Sequence, residues 1–169
     1  MTEGGRQSRE VGEQRAEDRR SKTQSSRGMA KQLKLRSREN EMSEKISSFK
    51  DLRVYKLAFE LQQEIFETSK RFPAEERYAL TDQVRRASRS IGANLAEAWQ
   101  KRRYVAHFVS KLTDADGEQA ETQHWLDTAT ACGYVPEKDQ TVLLEKGVRI
   151  GQMLGTMMAK PEKFCQQRS

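Results

Sequence analysis

Three arginines, Arg85, Arg86 and Arg89, followed by Lys101, Arg102 and Arg103, form the strongest cluster of one chemistry in the chain. Guanidinium groups donate paired hydrogen bonds to phosphate oxygens, and neutralising phosphates supplies most sequence-independent affinity for nucleic acid. Arg85 and Arg89 are one helical turn apart, so the spacing predicts that they and the basic corner approach one side as a phosphate footprint. Nothing in the pattern reads base edges. The binding it predicts is to RNA or DNA backbone or shape, and is strongly salt-dependent. The alternative is a solvated face with scattered acidic partners.

A second constellation is Glu121 with His124, a Glu-x-x-His pair of the kind that holds di-iron centres inside four-helix bundles. Such a centre needs a second pair and two further inward carboxylates. The other histidine, His107, has Tyr104 three positions earlier. Helical register instead puts His124 at the edge of an apolar stripe beside Trp125. Cys132 and Cys165 have neither metal-ligand nor redox spacing, and no phosphate-cradling glycine loop or nucleophile elbow is present. No catalytic residue, metal or cofactor is expected, and so no enzyme.

These residues must be positioned by helices. In the first segment Leu52, Tyr55, Phe59, Gln62, Phe66, Ser69 and Phe72 alternate at spacings of three and four, which predicts a core-facing helix stopped by Pro73. Leu57, Leu61 and Ile65 widen its apolar stripe, which suggests a second buried contact. The next helix is predicted from about Glu75 to Gln100, with Leu80, Val84, Ala87, Ile91, Leu95 and Ala98 inward. Along it Gln83, Arg86, Ser90, Asn94 and Glu97 share one polar face, either solvated or used as a hydrogen-bonded contact between helices or subunits.

A third helix is predicted over roughly Tyr104 to Cys132, with Phe108, Leu112, Ala115, Gln119, Thr122, Leu126 and Ala129 inward and Gly133 as its cap. Gly117 lies inside it at a cost of about 1 kcal/mol relative to alanine, which implies either a close neighbour or simple tolerance. The fourth runs from Pro136 to about Met158, with Leu143, Gly147, Ile150, Leu154 and Met157 inward. Its Gly147, Gly151 and Gly155 form a stripe suited to close backbone approach. Short connections make neighbours antiparallel. The expected fold is all-α: an up-down-up-down four-helix bundle over residues 49–160, between a leader of residues 1–48 and a tail of residues 161–169.

The leader holds 12 Lys and Arg against 8 Asp and Glu, so it supplies four of the six net positive charges and leaves the bundle nearly neutral. Too polar to offset its ordering entropy, it is expected to be disordered. Met29 or Met42 offers an alternative start of translation. The chain lacks the run of ~18 apolar residues that a membrane span requires, and no hydrophobic secretion segment opens it, which together predict a cytoplasmic protein.

Phe49-Lys50-Asp51-Leu52 with Tyr55, Phe72-Pro73, Glu76-Arg77-Tyr78 with Leu80, and then Gln83, Arg86-Ala87, Ser90-Ile91, Asn94 and Ala96-Glu97 carry a resemblance. Over residues 49 to about 158 the chain resembles the bacterial four-helix bundle family encoded within intervening sequences of large-subunit ribosomal RNA genes. Phe108, Ala115, Gly117 and Glu121 fit that family's third helix. Ala98 stands where the family usually has glycine, and Glu118 where it has serine; both changes bear on a subunit contact. The resemblance implies a homo-oligomer, commonly a ring of five bundles. It also implies similarity to retroelement accessory proteins, which bind nucleic acid and a reverse transcriptase through a basic ring surface. The leading expectation is a non-enzymatic oligomer that binds nucleic-acid backbone through Arg85, Arg86, Arg89, Lys101, Arg102 and Arg103. Gln83, Ser90, Asn94, Glu97 and Gly117 would make contacts between subunits or helices. The alternative is a protein-interaction scaffold that does not bind nucleic acid.

Overall fold

Ser48 opens the first helical turn, Phe49–Asp51, with a reciprocal cap: its hydroxyl accepts from the Lys50 amide at 3.3 Å while Asp51 accepts from the amides of Ser47 and Ser48. These bonds satisfy donors that a helix start leaves free. The computed structural model describes residues 46–165. The expected leader, apart from its last three residues, and the alternative starts at Met29 and Met42 lie outside them.

Four α-helices follow: α1 Arg53–Ser69, α2 Asp82–Lys101, α3 Val105–Ala131 and α4 Glu137–Ala159. Each packs on the next, and α4 returns to α1. Contacts pair rising numbers on one helix with falling numbers on its neighbour. Tyr55 and Ser69 of α1 meet Gly92 and Arg85 of α2, while Asp116 and Gln123 of α3 meet Gly151 and Gly147 of α4. Among the described residues no helix is long and apolar enough to cross a membrane.

The core positions expected of the second, third and fourth helices are buried throughout. Leu95, Phe108, Leu112, Leu126, Ile150 and Leu154 are essentially inaccessible. Burying side chains of this size contributes about 1.5–3 kcal/mol each, and truncating one to alanine costs about 2–5 kcal/mol. The third helix ends as its glycine predicted. Gly133 has φ +76°, the Tyr134 amide donates to Ala129 and the Gly133 amide to Thr130. This double bond is the Schellman closure, which needs a left-handed residue that glycine adopts without strain.

The first helix departs from expectation. Its buried stripe is Val54 and Ala58 with Leu61 and Ile65, the last two expected to widen the apolar face; this line lies one register over from the main predicted one, and Phe59 is 47% exposed. Leu52 and Ser69 are buried as expected, but Tyr55, Gln62, Phe66 and Phe72 are only half-buried. The helix also ends before Pro73. From Ser69 to Phe72 the chain tightens into three-residue hydrogen bonds. Small Ala58 lets α1 sit close to the core while the aromatic rings cover the flank toward α2.

Before α2 the chain takes a 3-10 turn at Ala74–Glu76 and a π-helical turn at Arg77–Thr81, which leaves Tyr78 83% exposed. Glu76, at the positive end of this helix, accepts from the Leu80 amide and from the Tyr134 hydroxyl. Beyond α4 the bundle extends past the expected boundary at residue 160. Pro161–Lys163 forms a 3-10 turn, and Phe164 stacks on Phe108 with ring centroids 6.0 Å apart.

Candidate nucleic-acid interface

Phe66, near the end of α1, organises the cations around it. Lys70 Nζ lies 4.7 Å from its ring centroid, Arg85 Cζ 4.9 Å and Arg89 Cζ 5.8 Å. The negative ring face attracts each cation and limits its wandering. Arg85 is held further by donating from Nε to Ser69 Oγ at 2.7 Å. Lys70 pairs with Glu67 at 2.7 Å, whereas neither Arg85 nor Arg89 has a carboxylate within salt-bridge distance among the described residues. Two guanidinium groups therefore stand oriented but unneutralised.

The rest of the expected footprint does not join them. Arg86 points to the opposite flank of α2, where its charge acts on Glu118 of α3. Lys101 pairs with Glu97 at 3.5 Å on that same flank. Arg102 folds onto its own helix, with its guanidinium 4.0 Å above the Trp99 ring and donating to the Trp99 carbonyl. Arg103 lies over Tyr104. Sixteen residues of helix separate Arg85 from Lys101, about 24 Å along the axis at ~1.5 Å per residue. The six residues thus divide into an arginine pair facing α1, two cations facing α3 and a corner absorbed by aromatic rings, so the single-sided footprint is corrected.

The polar face of α2 is in part a contact between helices. Lys111 of α3 donates to Asn94 at 3.3 Å and pairs with Glu97 and Asp114, each at 3.1 Å. The Lys111 hydrogen bond, and then its charge, hold the Glu97 carboxyl below its ordinary range; the same bonds raise Lys111. Gln83 and Ser90 are half-buried on the same face and make no side-chain hydrogen bond among the described residues. Gly117 is not a contact within the bundle, because a Cβ built there meets nothing within 4 Å. Of the glycines on α4, Gly147 and Gly151 do admit a close neighbour, since a Cβ built on them would lie 3.4 and 3.3 Å from the Gln119 side chain, while one built on Gly155 meets nothing within 4 Å.

The histidine constellation resolves into surface packing. Glu121 accepts from the Trp125 indole at 2.9 Å, and the His124 ring lies 4.9 Å from that of Trp125. Among the described residues no three His, Cys, Asp or Glu side chains are gathered as metal ligands would be. Cys132 is exposed; Cys165 is half-buried, and its burial pushes the thiol up. Phe66, Ser69 and Lys70 are the site residues that sequence reasoning missed. Their signal is an aromatic ring with a cation four residues on, hidden because the spacing of three and four places Phe66 and Ser69 in the core.

Residues 50–156 match the family described as 23S rRNA-intervening sequence protein. The chain is also similar to a crystal structure of a protein of unknown function from the S23 ribosomal protein family of Bacteroides thetaiotaomicron. The two share 25% identity and a TM-score of 0.57, over 63% of this chain and 95% of that one. No curated protein matches the chain.

Proposed function

This chain belongs to the 23S rRNA-intervening sequence protein family, and we propose that it is a non-enzymatic, homo-oligomeric bundle of the cytoplasm that holds nucleic-acid backbone. The observation that carries this reading is the pair Arg85 and Arg89, gathered on Phe66 without a carboxylate partner among the described residues. Phosphate oxygens are the natural acceptors for such donors. One arginine pair binds weakly on a nearly neutral bundle, but a ring of copies, commonly five by resemblance, repeats it and converts weak contacts into avidity. A reverse transcriptase or another protein bound by the assembled ring fits the same reading.

The test is anisotropy of labelled structured RNA titrated with the chain at several salt concentrations, with Arg85 and Arg89 both changed to alanine as the comparison. Binding that weakens steeply with salt, and that the double change reduces, supports the reading. Absence of binding, or binding indifferent to both, sinks it.

The half-exposed Phe59 favours a second reading, a protein scaffold with no nucleic-acid role. Pull-down from lysate with and without nuclease separates the two: a partner lost on digestion supports nucleic acid, and one retained supports the scaffold.

A further inference from the structure

Two exposed aromatic rings bracket the arginine pair along the axis of the α1–α2 pair, one on α1 and one on the turn that leads into α2. Phe59, 47% exposed, lies two turns before Phe66 on the same flank of α1, about 10 Å along the axis. Tyr78, 83% exposed, sits on the π-helical turn seven residues before Arg85. Along the bundle the order is therefore a ring, the cation cluster on Phe66, and a second ring. The expected phosphate footprint gave no role to either ring.

We propose that this face takes an unpaired nucleic-acid strand, with bases stacking on Phe59 and Tyr78 and the intervening phosphates held by Arg85 and Arg89. The inference rests on the phosphate-binding reading and names the form of nucleic acid that site selects. A duplex keeps its base faces stacked inside and offers them to no ring, whereas an unpaired strand presents a π-face at every nucleotide. Alternating aromatic and cationic groups is the arrangement that binds such strands without reading sequence. Charge argues against a second copy as the occupant. Covering this face with protein would strip water from two guanidinium groups that have no carboxylate partner among the described residues, a penalty that only acids brought by the other copy would offset. Phosphates bring that charge with the strand. The polar chemistry of Tyr78 also suits a wet contact: its hydroxyl reaches water or a sugar while its ring stacks.

The experiment uses the full chain and two labelled probes of equal length and salt: an oligouridylate and an RNA duplex. Wild type is compared with F59L/Y78L, which keeps apolar bulk but removes both rings, and with R85A/R89A. The expected result is tighter binding of the oligouridylate than of the duplex, an about tenfold loss for F59L/Y78L on the oligouridylate alone, and a loss on both probes for R85A/R89A. Equal affinity for the two probes, with F59L/Y78L unchanged on either, overturns the inference while leaving phosphate binding intact. Sedimentation of the free proteins adds a second check. If F59L/Y78L lowers the assembled mass, the rings face another copy and the inference is overturned. Failure of the wild type to bind either probe removes the phosphate-binding reading as well. Tyr78 is exposed and Phe59 is half-exposed, stacking on Tyr55 with ring centroids 6.3 Å apart, so a circular dichroism melt of F59L/Y78L that stays well above the binding temperature shows that any lost affinity is not lost folding.

Discussion

Arg85 donates to Ser69 Oγ at 2.7 Å, and that hydroxyl in turn donates to the Phe66 carbonyl at 3.1 Å, so the last turn of α1 both orients the arginine and supplies the ring it stacks on. Ser69 is 3% exposed. Changing Ser69→Ala removes the acceptor while leaving the backbone room intact. Water can reach the half-buried guanidinium, so the expected loss is at the lower end for a bond to a charged group, about 1.5 kcal/mol by urea unfolding. Phosphate affinity should fall by less than for R85A. A variant as stable as wild type would mean that the bond contributes nothing.

Gly117→Ala should stabilise the protomer. The position is mid-helix in α3, exposed, with no atom within 4 Å of a built Cβ, so alanine brings its helix preference of about 1 kcal/mol and no clash. Thermal melting at low protein concentration is expected to show the gain. Sedimentation at high concentration tests the contact between subunits expected of this glycine. An unchanged assembly would remove Gly117 from that interface, and a lower melting point at low concentration would contradict the open space.

The same residues show what a sequence makes legible. On α3, Phe108, Leu112, Ala115, Gln119, Thr122, Leu126 and Ala129 form one stripe with polar neighbours, and all of them are buried. On α1, two stripes with identical spacing run side by side: Val54, Ala58, Leu61, Ile65 and Tyr55, Phe59, Gln62, Phe66. Periodicity cannot choose between them, and side-chain size points the wrong way, because a close helix approach selects the small Ala58 over the larger Phe59. The single-sided footprint expected of the six cations divides for a related reason. Neighbouring positions such as Arg85 and Arg86 lie on different flanks of one helix, and the partner helix, not the spacing, decides which face each cation serves.

Gln119 is 4% exposed, and its Nε2 has no hydrogen-bond partner among the described residues. The side chain lies against Gly147 and Gly151, whose missing Cβ atoms make room for it. A buried donor without an acceptor costs about 1–3 kcal/mol. Gln119→Met keeps length and flexibility without the amide, and is expected to raise unfolding stability by about 1 kcal/mol or more. Loss of stability in urea unfolding would show that the amide makes a bond that the packing requires, with a bound water as the acceptor to seek.

Glu118 should make the protein less stable near neutral pH. Burial first, and then the charges of Glu121 and Asp114, push its carboxyl above the ordinary 4.5, against the pull of Arg86. A carboxyl raised in the folded state is one whose charge the fold disfavours, so its penalty is absent below the ordinary value and grows as pH rises through the raised one. Glu118→Gln is therefore expected to melt higher at pH 7, relieving like-charge pairs worth about 0.2–0.5 kcal/mol each. The advantage should close as pH falls below the ordinary carboxylate range, where the wild type is protonated. Glu97 supplies the opposite sign. Its carboxyl is lowered by Lys111, so its contribution is present above the ordinary value and lost as pH falls through the lowered one. Glu97→Gln should accordingly be less stable at neutral pH and converge with wild type in acid. Thermal melts of the three proteins from pH 7 down to strongly acid conditions would show the two differences narrowing from opposite sides. A Glu118→Gln difference that is negative, or constant across that range, would show that Arg86 and solvent already neutralise the buried charge.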